Sequence, residues 1–174
     1  MVFPQGIGAM AYTDCGILKP NVNKFVTMDI GAGTVEYLGI VQGKMDPKQC
    51  RSLPEGTMTI ANDISQFISN QFDLDVRESD INAVMMGRES LLYDEIKDAI
   101  QDMYRRKAIS FIDKAREFGM DPRIWRVFLT GGGARFVKQY FTKDNGVQKL
   151  YVEENIKANV LGYVMLAEMK IKKM

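Results

Sequence analysis

Histidine is absent from the 174-residue chain. That excludes a Ser–His–Asp triad, a Cys–His pair and any histidine-based metal site. Cysteine is nearly absent as well: Cys15 and Cys50 are too few for a zinc framework or a disulfide scaffold. They read as two free thiols of a reducing cytosol, so a cytoplasmic location is expected. Neither sign of charge dominates, since 23 Lys+Arg stand against 22 Asp+Glu. Nothing in that balance drives the whole chain onto nucleic acid or an anionic membrane. No apolar run approaches the ~18 residues of a membrane span. The opening MVFPQGIGAM has no basic segment followed by an apolar core, so it is not a secretory signal.

Apolar residues make up 46% of the chain and charged residues 26%, the balance of an ordinary globular protein with a real core. Most of the 12 methionines sit among apolar neighbours, where they fill core space. KFVTMDI and TVEYLGIV flank the turn Gly31–Ala32–Gly33 and read as a β-hairpin. A third strand is expected near Lys48 to Leu53, after a turn at Gly43 to Pro47. Ile60, Ile64, Phe67, Ile68 and Phe72 recur at helical spacing from Thr57 onward. Ser79 to Gly87 is ambiguous. Leu92, Ile96, Ile100, Met103, Phe111, Ala115 and Phe118 form one helical stripe, closed by Gly119 and Pro122. Strands are expected at Arg126 to Thr130 and Lys149 to Val152, and helices at Arg135 to Phe141 and Asn155 to Lys172. Alternating strands and helices without repeats or linkers define an α/β fold.

Two sites share one design, a strand followed by glycines. In FVTMDIGAGTVEY, Asp29 ends the strand and a glycine turn follows. Successive amides in such a turn can form a nest for phosphate oxygens. An acid at the strand end can hold Mg²⁺ through water, because Mg²⁺ keeps much of its hydration shell. A plain hairpin with one helpful glycine would look the same. In RVFLTGGGAR, three glycines join a buried strand to a helix. They have no packing value of their own and suit a flat ligand against the backbone, with the helix start favouring negative charge. A strand–helix loop needing a single glycine is the competing reading. Neither GxGxxG nor GxxxxGK[ST] occurs.

Taken in order, these segments resemble the second half of an actin-like ATPase, of the superfamily of actin, heat-shock chaperone ATPases and sugar kinases. DIGAGTVEY resembles its second phosphate motif and VFLTGGGAR its adenosine motif. PQGIGAMAY resembles the first connecting helix and NIKANVLGYVMLA the second. The FPQ start and the late ANVLGY are similar to the bacterial plasmid-segregation actins of the ParM/StbA type.

The resemblance implies an actin-like, ribonuclease H-like lobe: a mixed sheet flanked by helices, with residues 1–54 and 95–174 as core and a small subdomain inserted at about 55–94. ATP and Mg²⁺ are the implied ligands. Asp29 would bind Mg²⁺ through water, and Gly31, Ala32, Gly33 and Thr34 would wrap the β- and γ-phosphates. Gly131, Gly132, Gly133 and Ala134 would face ribose and adenine. Gln5 falls where relatives position the attacking water, although by itself it reads as a solvated residue near a chain end. Arg88 and Glu89 fall near where some relatives touch the sugar; a solvated charge pair reads equally well. Two positions depart from the motif: Ala32 replaces its second glycine, and Glu36 is one methylene longer than the usual acid.

No second Asp-Gly hairpin is present, so the chain is expected to be one lobe of a two-lobed protein. The implied function is that of a filament-forming ATPase in plasmid segregation. It would pair with its own N-terminal lobe, with further copies and with a DNA-bound adaptor, without direct nucleic-acid or membrane contact. A scaffold or adaptor of slow turnover and a small-molecule kinase lobe are the alternatives.

Overall fold

The computed structural model describes residues 6–13 and 24–171. Its elements run α1 (Ile7–Thr13), β1 (Lys24–Ile30), β2 (Val35–Val41), β3 (Lys44–Leu53), α2 (Thr57–Phe72), α3 (Glu78–Met85), α4 (Asp94–Glu117), β4 (Arg126–Thr130), α5 (Ala134–Val137), a 3₁₀ turn (Lys138–Tyr140), β5 (Leu150–Val152) and α6 (Ala158–Ile171). Five strands form one mixed sheet in the order β3-β2-β1-β4-β5. The β1–β2 and β2–β3 pairs are antiparallel; β1–β4 and β4–β5 are parallel. The expected α/β mixed sheet is therefore the observed one.

Alternation along the central strands sorts the side chains into two layers. Val26, Met28 and Ile30 of β1, with Val127 and Leu129 of β4, enter the main core. There they meet Ile60, Ile64 and Ile68 of α2, Ile81 and Val84 of α3, and Ile100, Tyr104 and Phe111 of α4. Phe25 of β1 and Phe128 of β4 face the other way, onto Ala9 and Met10 of α1 and Ala158 of α6. Both central strands are thus covered on both faces, which accounts for their nearly unbroken apolar sequences. Residues 55–94 contribute α2 and α3 to this same core.

Several boundaries differ from the expectations for local reasons. β3 starts at Lys44 rather than near Lys48, because Gln42 (φ 51°) and Gly43 (φ 73°) alone make the turn. Pro47 is tolerated inside β3 because β3 is an edge strand. The ambiguous stretch forms α3, whose first turn is closed by Asp80 accepting the Arg77 backbone N–H at 3.0 Å. α6 begins at Ala158 rather than Asn155, because Asn155 Oδ1 accepts the Lys157 N–H and Glu153 accepts that of Asn155. Such side-chain turns compete with helix. Phe67 and Phe72 of the α2 stripe are about 40% exposed, so the buried stripe is narrower than the sequence suggested.

Candidate functional site

Register brings the two glycine segments together. β1 and β4 run parallel, and Asp29 pairs with Thr130. Both loops therefore leave the same edge of the sheet, side by side, at the carboxyl ends of adjacent parallel strands. Open α/β sheets present their ligand crevices at that edge. Asp29 and Thr130 are buried there, with Thr27 two residues back along β1, on the face covered by α1 and α6.

The hairpin turn is closed by the Gly31 N–H donating to the Thr34 carbonyl at 2.8 Å. Its carbonyls are held from one side. Those of Gly31, Ala32 and Gly33 accept from Thr57 (3.0 Å), Met58 (2.9 Å) and Gly56 (3.2 Å) at the start of α2. The first amides of a helix have no intrahelical partner, and here the hairpin supplies one. A trans peptide points its C=O and N–H in opposite directions. Three successive carbonyls turned toward α2 therefore turn the amides of Ala32, Gly33 and Thr34 away from it, toward the open side. Consecutive amides of this kind make an anion-binding concavity. Gly56 is part of the device, since a Cβ there would overlap the Ala32 carbonyl. Sequence reasoning missed Gly56, Thr57 and Met58; the signal was a glycine placed at the cap of α2. Ala32 has no positive φ, so a Cβ is accommodated there.

The second loop divides its three glycines by task, which corrects the view that none has packing value. Gly131 has φ +88°, and a Cβ on it would overlap the Ile30 carbonyl and stand 2.5 Å from Asp29 Oδ1. Gly133 is buried and donates to Ile30 O at 2.9 Å; its Cβ would overlap Ile30 Cγ2 and approach Thr57 Cγ2 to 2.6 Å. Gly132 differs: it is exposed, its φ lies outside the left-handed range, and a Cβ would meet nothing within 4 Å. Gly33 in the hairpin is free in the same sense. Ala134 is fully buried, with its side chain in the main core.

Asp29 is 2% exposed. Its Oδ2 accepts a hydrogen bond from Asn159 Nδ2 of α6 at 2.9 Å, and its Oδ1 is turned toward Gly131, between the two loops. Asn159 was not singled out in the sequence, although a polar residue within ANVLGYVMLA was the available signal. Glu36 stands opposite Asp29 across the hairpin and accepts from Ser52 Oγ at 2.7 Å. Among the described residues no group of three or more Asp, Glu or Cys stands together. One buried carboxylate beside an amide nest suits a hydrated Mg²⁺ bound through water rather than a protein cage. Arg88 and Glu89 are exposed just past α3, with Glu89 on a shallow pocket beside Asp80, Leu91 and Tyr93. No hydrogen bond or ion pair joins them to the glycine loops among the described residues. Gln5 lies outside the described residues, as does Cys15; Cys50 is a free thiol.

A family model for archaeal actin homologues, MreB-like, C-terminal, matches residues 27–143. The chain belongs to that family. No curated protein matches it. Among solved structures it is similar in fold to Ta0583, an archaeal actin homolog in complex with ADP (TM-score 0.67, 20% identity, 96% of this chain and 57% of that one). It is also similar to the apo pSK41 ParM protein (TM-score 0.72, 16% identity, 97% and 49%). A third likeness is to MreB5 of Spiroplasma citri bound to ADP (TM-score 0.70, 14% identity, 99% and 61%). The chain spans about half the length of these relatives and corresponds to the C-terminal half of the actin-like fold. None of the described helices is long and apolar enough to cross a membrane.

Proposed function

We propose that this chain is the nucleotide-binding second lobe of a filament-forming actin-like ATPase. The observation that carries the reading is the pair of loops at one sheet edge. One offers three outward amides, the other an exposed glycine that neither packing nor backbone conformation requires, and Asp29 lies between them. The amides of Ala32, Gly33 and Thr34 would take the β- and γ-phosphates. Gly131 and Gly132 would lie against ribose and base, with Gly133 and Ala134 anchoring the loop from below. Asp29 would hold Mg²⁺ through water. The metal supplies charge neutralisation to the phosphates during transfer, and the chain's part is to position and enclose them. Gln5 is assigned to the attacking water, and Arg88 and Glu89 to the nucleotide sugar. Relatives of this fold solved with ADP and with AMPPNP support a nucleotide, and a solved Alp12 filament supports self-association.

The lobe comprises residues 1–54 and 95–174, with 55–94 inserted between β3 and α4 and packed into the same core. The partner implied by this division is an N-terminal lobe closing over the loops. Plasmid segregation through a DNA-bound adaptor is the cellular role we assign, in the cytoplasm. The test is Mg²⁺-dependent ATP turnover and pelleting of the intact protein, with Asp29→Ala as the probe. Loss of Mg²⁺-dependent turnover in a folded Asp29→Ala variant is expected; normal turnover in it refutes the metal role.

A further inference from the structure

Asn159 joins three elements. Its Oδ1 accepts the backbone N–H groups of Gly6 and Ala9, both at 3.0 Å, and its Nδ2 donates to Asp29 Oδ2 at 2.9 Å. Two N–H donors can face only the amide oxygen, so the network itself fixes the NH₂ group toward the carboxylate. Gly6 and Ala9 are at the start of α1, where helix amides lack intrahelical partners. A residue from α6 thus supplies a cap to α1.

The helix pair is also joined along its length. Gly8 and Gly162 stand so close that a Cβ on Gly162 would overlap the Gly8 carbonyl. Gly8 is likewise closed in by Asn159, since a Cβ on it would overlap the Asn159 carbonyl. α1 and α6 therefore form one unit, and Asn159 connects that unit to the edge of the sheet.

We infer that Asn159 is a positioning residue: it holds the Asp29 carboxylate for the metal and ties the seating of the α1–α6 pair to the filling of the site. This rests on the reading of Asp29 proposed above. One oxygen of Asp29 is committed to Asn159, which sets the direction of the other. Anything that draws on the carboxylate is felt at Asn159 Nδ2, and through the same amide at the first turn of α1. The coupling works in both directions, because linkage between two equilibria is reciprocal.

The experiment measures affinity for a fluorescent ATP analogue, with Mg²⁺ and with EDTA, in the intact protein and in Asn159→Ala, Asp29→Ala and the double variant. Asn159→Ala is expected to lose about tenfold in Mg²⁺, the scale of one hydrogen bond to a charged group, and to cause no further loss once Asp29 is Ala. Losses that add, or that are equal in EDTA, overturn the inference. A second readout is amide hydrogen exchange at Gly6 and Ala9. Mg²⁺ with a non-hydrolysable ATP analogue is expected to slow it further in the wild type. Asp29→Asn, nearly isosteric and still an acceptor for Asn159, is expected to keep the slow exchange of the free protein but lose that response. Exchange at Gly6 and Ala9 indifferent to Mg-nucleotide in a binding-competent wild type overturns the coupling, whether or not Asn159→Ala folds. If Asp29→Ala leaves the Mg²⁺ dependence intact, the metal reading falls and the inference with it. If Asp29→Ala abolishes the dependence and Asn159→Ala does not alter it, the inference alone falls.

Discussion

Gly132→Val separates a ligand-facing glycine from a structural one. In the free protein a Cβ at this position meets no atom within 4 Å, and the backbone is not left-handed. The stability cost is therefore that of an exposed substitution, within about 0.5 kcal/mol. For a chain of this size that shifts Tm by roughly 2 °C at most. A nucleoside lying on the loop changes the outcome, because the added carbons occupy its place. Forcing extra methyl groups into a filled contact costs about 1–3 kcal/mol, which converts to roughly 5- to 150-fold in affinity. Gly133→Ala is the control of opposite kind. Its Cβ overlaps Ile30 Cγ2 and stands 2.6 Å from Thr57 Cγ2 with or without ligand. It is expected to cost about 1–3 kcal/mol, lowering Tm by roughly 2–12 °C. Thermal unfolding followed by circular dichroism and titration with a fluorescent ATP analogue, both on the intact protein, give the two numbers. The reasoning is refuted if Gly132→Val melts as early as Gly133→Ala, or if it stays folded and binds nucleotide with wild-type affinity.

Further outcomes follow from other parts of the molecule. Tyr104 is fully buried, its hydroxyl has no hydrogen-bond partner among the described residues, and burial with the nearby Glu78 charge pushes its pKa up to about 12. Tyr104→Phe should therefore leave stability unchanged or raise it by about 1 kcal/mol in urea unfolding at pH 7, and a clear loss would mean the hydroxyl has a partner. Because the folded pKa lies above the unfolded value of 10.0, the contribution is intact below pH 10 and is lost as pH rises toward 12. The wild type should lose stability over that window, and Tyr104→Phe should lose less of it. Gly162→Ala forces α1 away from α6 and should destabilise by about 1–3 kcal/mol or more, read as an earlier melt. The 174-residue chain alone should fold yet release negligible phosphate from Mg-ATP, since on the proposed reading it would enclose the phosphates from one side only; turnover abolished by Asp29→Ala would make the single lobe a complete enzyme.

The hairpin and the TGGG loop were legible because each is a local signal: a strand pattern interrupted by residues that strands disfavour. Asp29 was legible for the same reason, as an acid at the end of an apolar run. What the sequence did not reveal depends on contacts far along the chain. No spacing rule connects Asn159 to Asp29, because their contact exists only once α6 has crossed the end of β1. Gly131, Gly132 and Gly133 are identical letters, and only Ile30 and Thr57 packed beside them divide their tasks. Pro47 misled in the opposite direction. It reads as a breaker, and the position of β3 at the sheet edge, with its register to β2 broken around Pro47, makes it harmless.

The parallel pairing of β1 with β4 also has a bearing on synthesis. Asp29 meets Thr130, roughly a hundred residues further on, so the ladder that assembles the site is a long-range contact. At about 5–20 residues per second, a nascent chain displays the completed hairpin for several seconds before its neighbour exists. Throughout that interval β1, buried along six of its seven residues in the finished fold, is paired on one side only. An unpaired apolar strand is a template for another chain. Translation halted anywhere between Leu53 and Arg126 would leave that template open, and such fragments should aggregate through β1 even though every helix of α2 to α4 preceding the halt could still form.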